Sequence, residues 1–188
     1  MMDKKRGSFT SRDLALVAGL TGLYLVYGYV SGVTFGHAIL ELDLFFLISV
    51  LFTILVSMTG KRWSATLLGT VNGLILLGEP NAPLAITLSL IPNGLVFDLA
   101  LYSRNHTIDE SSRKRFVIAG ALGNLAMAIS GLVILQAIGF FQGKGLDFIL
   151  ATWVIALVTN PLVGAIGALF GTVVVKRVGE RVRSPIIR

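Results

Sequence analysis

The sequence predicts an all-α integral membrane protein, a single domain of six transmembrane helices with both termini in the cytoplasm. Three observations predict it. Of 188 residues, 54% are hydrophobic and 14% charged, and the mean hydropathy is +0.82, far from the soluble average. The apolar residues gather into six runs, each compatible with the roughly 20 residues that cross the hydrocarbon. The basic residues stand at the edges of those runs, in alternate loops.

The first run, Leu14 to Val30, follows Lys4, Lys5 and Arg6 and so mimics a secretory leader. It is long for one, and no Ala-x-Ala cleavage site follows it, so it reads as a retained first span. The next runs are Leu42 to Met58, Trp63 to Leu77, Pro83 to Tyr102, Phe116 to Ile138 and Phe148 to Val175. The third is short, and the sixth is long enough to tilt or to continue past the membrane surface. All six must be helices, because a backbone in lipid has to satisfy its own hydrogen bonds and the strict alternation of an outer-membrane barrel is missing.

The polar stretch Ser103 to Arg115 divides the chain into two apolar halves and sets its orientation. Short cytoplasmic loops carry the Lys and Arg excess, and Arg104, Arg113, Lys114 and Arg115 flank this one. On the same side fall Lys4, Lys5, Arg6 and Arg12, then Lys61 and Arg62, then Lys176, Arg177, Arg181, Arg183 and Arg188. Of the 16 basic residues, Lys144 alone is left for the outside. The triplet Asn105-His106-Thr107 matches a glycosylation site, which an inside location makes inert. The pI near 10 therefore reflects topology and anionic lipid, and a nucleic-acid partner is not expected. With no cysteine, disulfides, thiolate metal sites and thiol catalysis are excluded.

Helices already in lipid associate through small residues that let backbones approach. Gly69 and Gly73, Ala119 and Gly123, and Gly164, Gly167 and Gly171 read as internal packing. In the first span Ala15, Ala18, Gly19 and Gly22 form a ladder at i, i+3, i+4 and i+7. That ladder either packs internally or receives a separate membrane protein.

Polar groups at membrane depth are the best functional pointers, since leaving them unpaired is costly. They are Asn72, Asn93, Asp98, Asn124, Gln136 and Asn160. Asn93 follows Pro92 and Asn160 precedes Pro161. Each proline removes a backbone donor, so both helices are expected to bend or open, and the asparagines either repair those breaks or line a cavity. Trp153 and Asn160 share a helix face with Gly164, Gly167 and Gly171, which suggests a pocket above a tightly packed floor; Trp153 as an interfacial belt residue is the other reading. Asn72 and Glu79 share a face of the third span. The outer loops add His37, Glu41, Asp43, Glu79, Asn81, Gln142 and Asp147, either an acidic vestibule that favours cationic or hydrogen-bonding ligands or ordinary solvated loop residues. His37 and Glu41 offer two metal ligands and no third, so no metal or other cofactor is expected. Asp98 lies near the inner boundary, where Arg104 or a backbone group can pair with it. Signatures of zinc proteases, serine hydrolases and phosphate-binding loops are missing, so no enzyme is expected.

The size, the six spans, the inward termini, the small ladder of Ala15, Ala18, Gly19 and Gly22, and the polar residues in the outer parts of later spans together resemble the S component of energy-coupling factor transporters. These are the membrane-embedded vitamin-binding subunits of bacteria and archaea. The resemblance covers nearly the whole chain and is architectural. It implies that Ala15, Ala18, Gly19 and Gly22 dock a transmembrane coupling protein joined to two cytoplasmic ATPases. It also implies a substrate pocket near the outside, with Glu41, Glu79, Asn81, Asn93, Gln136, Trp153 and Asn160 as candidates. The family's Ala-x-x-x-Ala is Ala-x-x-x-Gly here. No histidine lies near Met1, which disfavours a metal substrate, and the acidic outer loops with an aromatic lean towards thiamine or a pyrimidine precursor. The other reading is a self-sufficient small-solute carrier coupled to protons through Glu79 or Asp98. Either places the chain in the plasma membrane.

Overall fold

The computed structural model describes residues 8–35, 41–79, 82–102 and 113–183. His37, Asn81, the loop of residues 103–112, Lys4, Lys5, Arg6 and Arg188 lie outside them. Among the described residues the chain forms six helices: α1 (Ser11–Phe35), α2 (Leu42–Thr59), α3 (Ser64–Leu76), α4 (Leu84–Leu101), α5 (Arg113–Ala137) and α6 (Leu146–Arg183). Five are long and apolar enough to cross a membrane; the exception is α3. Its 13 residues span only about 20 Å, short of the roughly 30 Å hydrocarbon core.

Local chemistry sets the helix ends. Thr10 and Asp13 form a capping box at the start of α1: the Thr10 amide donates to Asp13 Oδ2 at 2.7 Å and the Asp13 amide to Thr10 Oγ1 at 3.3 Å. Lys61, in the loop after α2, donates to the same carboxylate and to the Ser8 carbonyl. That loop turns on Gly60, at φ 65°, whose amide closes the last turn of α2 on Val56.

Glycines fix how the helices pair. A side chain at Gly69 would strike the Leu90 carbonyl, one at Gly73 the Thr87 carbonyl at 2.8 Å, and one at Gly94 the Ala65 backbone. Rising numbers on α3 thus meet falling numbers on α4, and the two run antiparallel with their backbones touching. Gly123 rests on Asn93 of α4, Gly120 and Gly164 join α5 to α6, and Gly167 and Gly171 lie on Phe46, Val50 and Thr53 of α2. The last pairing is parallel. Gly28 meets Leu44 while Asp13 meets Lys61, so α1 opposes α2. The sense of the chain therefore reverses at every connection. The beginning of α1, the α2–α3 loop, the end of α4, the beginning of α5 and the end of α6 all share one end of the bundle. Arg113 confirms it by donating to Thr172 Oγ1 across α5 and α6 at 3.3 Å. The glycines of α3, α5 and α6 are thus internal packing, as expected.

The core lies between α2, α3, α4 and α5, where Phe52 and Phe97 meet edge to face at 5.5 Å. Outside it, α6 presents Leu150, Val154, Val158, Leu162 and Ile166. This ridge at four-residue spacing would be an aggregation surface in water and is an ordinary lipid-facing one in a bilayer. Neither proline opens its helix, since α4 runs unbroken through Pro92 and α6 through Pro161.

Candidate functional site

At the end of the bundle opposite Lys61 and Arg113, the helices part around a cavity of about 540 Å³. This is within the range of small-molecule sites. Its walls come from the last turns of α1 and α3 and the first of α2 and α4. Tyr24, Gly28 and Gly32 line it from α1, Glu41 and Leu44 from α2, and Leu76, Glu79 and Thr87 from α3, α4 and their connection. Glycine at position 32 leaves room: an added Cβ there would meet nothing within 4 Å.

Two of the expected pocket residues, Glu41 and Glu79, stand together on this wall. Glu41 is unusual in two ways. It is 92% buried, with 8% of its surface exposed, and its backbone is left-handed at φ 55°, a conformation costing a non-glycine residue about 1 kcal/mol or more. The fold thus holds a carboxylate at the cavity with strained backbone, a pattern that concentrates at ligand sites. Asp43, next along α2, is engaged structurally and accepts a hydrogen bond from Ser31 of α1.

The other expected pocket residues lie elsewhere. Asn93 is fully buried between α4 and α5, where its amide nitrogen donates to Asn124 Oδ1 and contacts Met127 Sδ, each at 3.1 Å. Asn124 Oδ1 also accepts from Ser49 at 3.1 Å, and Asn124 Nδ2 donates to the Phe45 carbonyl at 3.1 Å. Asn124 thereby joins α2, α4 and α5, and Gly164 of α6 rests on its side chain. This is a structural hub outside the cavity lining. Asn160 donates to the Ala156 carbonyl of its own helix at 3.0 Å, a local repair near Pro161. Gln136 is exposed at the end of α5, and Trp153 is half-buried on α6. Neither lines the cavity, and further along the face of Trp153 and Asn160, Gly164 is taken up by packing on α5.

Asp98 is buried and accepts from the amide and the hydroxyl of Thr66, each at 2.7 Å. It caps the first turn of α3, the backbone pairing that its depth suggested. Replacing it with Ala should lower stability by about 2 kcal/mol, read as a lower unfolding midpoint in detergent, whereas Asn should recover part of the loss.

No family model, curated protein or solved structure matches the chain. The site is therefore described by its own chemistry: an open-ended cavity, mostly apolar, with two carboxylates at its mouth and a tyrosine at its inner wall. Reading the sequence missed Tyr24, which lines the cavity. The available signal was spacing, since Tyr24, Gly28 and Gly32 fall at i, i+4 and i+8 along one side of an otherwise apolar helix.

The ladder of Ala15, Ala18, Gly19 and Gly22 occupies the opposite side of α1. The first three are exposed and Gly22 half-buried, and a side chain at either glycine would meet nothing within 4 Å. Among the described residues no helix of this chain covers that stripe.

Proposed function

We propose that the protein is the substrate-binding subunit of an energy-coupling-factor-type transporter in the plasma membrane. Its six helices sit in the bilayer, five crossing it in full and the short α3 spanning part of its depth, with both termini cytoplasmic, and it captures a vitamin or related small molecule from outside. The observation that carries this reading is the cavity at the end of the bundle away from the basic residues. With Arg12, Lys61, Arg62, Arg113, Lys114, Arg115, Lys176 and Arg177 held inside by the positive-inside rule, the cavity opens outwards. Glu41 and Glu79 at its wall favour a cationic or hydrogen-bonding solute, in line with thiamine or a pyrimidine precursor. The uncovered stripe of α1 supplies a docking face for the coupling protein, through which two cytoplasmic ATPases drive delivery.

The rival is a carrier that works alone on a proton gradient. Asp98, engaged as the cap of α3, is poorly suited to relay protons, which leaves that reading to Glu79. Reconstitution of the purified chain in liposomes under an imposed pH gradient decides between the two. The expected result is tight one-to-one binding with no gradient-driven accumulation. Accumulation without any ATPase would defeat the proposal.

A further inference from the structure

The way α1 lies against α2 gives the cavity two ends. Gly28 meets Leu44, and Ser31, nearly one turn further out, bonds Asp43. Glu41 therefore stands at the outer level of the wall. Tyr24, one turn inward from Gly28, stands at the inner level, and the two backbones are about two helical turns or 11 Å apart along the axis. Both residues line the cavity, and the wall beside them is apolar at Leu44, Leu76 and Ile86.

The two ends differ in chemistry. The lining holds two carboxylates and, among the described residues, no Lys, Arg or His. Glu41 is buried and Glu79 exposed. A carboxylate sheltered from water acts on a ligand's charge through a lower effective dielectric, so Glu41 is the stronger of the two. Its strained position at the start of α2 is not explained by capping, since its side chain makes no capping bond. At the inner end, Tyr24 is 2% exposed and its hydroxyl has no partner in the chain. Unpartnered buried atoms occur elsewhere in the bundle, but among the described residues Tyr24 alone combines one with a place on the cavity wall. Thr87, the hydroxyl that α4 brings to that wall, is engaged by the Pro83 carbonyl at 3.1 Å. An open hydroxyl inside a cavity is a hydrogen-bonding group available to whatever fills it.

We infer that the cavity selects an elongated organic cation, whose charged nitrogen pairs with Glu41 and whose far end carries a hydrogen-bonding group for the Tyr24 hydroxyl. The apolar middle of such a ligand lies along Leu44, Leu76 and Ile86. This deepens the capture role proposed above and rests on it. Charge and length are then read by different residues. A molecule without the positive group leaves Glu41 unpaired in the filled cavity, and one without the distal group leaves Tyr24 so, and buried groups left unpaired are what reject an analogue.

The test uses the full chain in lipid nanodiscs with thiamine and tyramine as probes, each a cation with a hydrogen-bonding group at its far end. At least one is expected to bind. Glu41→Gln, which keeps the shape of the side chain, should weaken that binding by about 100-fold, and Glu79→Gln by only about threefold, as befits an exposed charge. Tyr24→Phe, a change too small to endanger folding, should weaken it by about 10-fold without lowering the ligand-free unfolding midpoint. Truncated forms of tyramine separate the two ends. 2-Phenylethylammonium, which lacks the phenol oxygen, should bind equally to wild type and Tyr24→Phe, and tyrosol, which lacks the charge, equally to wild type and Glu41→Gln. No binding of either probe by the wild type, unchanged affinity in Glu41→Gln or in Tyr24→Phe, or a larger loss from Glu79→Gln than from Glu41→Gln would overturn the assignment. Failure of the capture role itself shows separately, as pH-driven accumulation in liposomes.

Discussion

Gly164→Leu should deprive the protein of its folded state, while Gly19→Leu should leave it intact. Both glycines lie in apolar helices, so the difference comes entirely from what surrounds them. A Cβ at Gly164 would run into the Gly120 carbonyl and stand 2.7 Å from Asn124 Cγ. The obstruction is the backbone of α5, which cannot swing aside as a side chain can, so α5 and α6 must separate. Separation also strains the Asn124 hub, whose bonds to Ser49, Asn93 and Phe45 tie α2, α4 and α5 together. Overpacking alone costs about 3 kcal/mol in tight contacts, and interhelical hydrogen bonds in membranes add roughly 1 kcal/mol each. The sum is comparable with the whole stability of a typical domain. The expected observation is aggregated or unextractable Gly164→Leu protein, beside Gly19→Leu protein that elutes and melts as the wild type does, within about 0.5 kcal/mol. A monodisperse Gly164→Leu protein with an unchanged midpoint would contradict the α5–α6 packing described here.

The positions of the helices were legible because hydropathy reports where hydrocarbon begins and ends, and their full lengths were not. The apolar runs starting at Phe116 and ending at Val175 mark the membrane, but α5 begins at Arg113 and α6 continues to Arg183, because charged residues at helix ends reach back to the interface without breaking the helix. Glu41 and Glu79 were visible as cavity residues because carboxylates at the margins of apolar runs are rare. Asn93 lies away from the cavity for a different reason. Its partner Asn124 lies on another helix, and phase within α4 does not reveal which neighbour it faces. Trp153, Asn160 and Gly164 do share a face, but glycine at Gly164 draws that face into contact with α5 and fills the space where a pocket was expected. Tyr24 was hidden by its own ambivalence, since a tyrosine in a greasy helix reads as apolar until its hydroxyl is found without a partner.

Gly19→Trp should abolish partner-dependent uptake and leave ligand affinity nearly unchanged, a complete loss of transport from a residue that touches neither ligand nor core. The two sides of α1 explain the separation. Val17, Thr21, Tyr24 and Ser31 are its buried residues among those described and point into the bundle, with Tyr24 on the cavity. Ala15, Ala18 and Gly19 are exposed on the other side. An indole at Gly19 therefore projects away from the site and meets nothing of this chain, so the cavity keeps its shape. It does stand where a partner helix would approach within backbone contact, the separation that small-xxx-small pairs allow and bulky side chains forbid. Ala15→Trp should behave in the same way. Leu23, also exposed at 51% but lying beside the ladder, is the matched control: Leu23→Trp should transport normally. The measurement is substrate uptake by cells expressing the coupling protein and its ATPases, set against ligand binding by the purified variants. Affinity that falls together with uptake would place the ladder inside the protein's own packing, and uptake that survives both tryptophans would remove α1 as the coupling face.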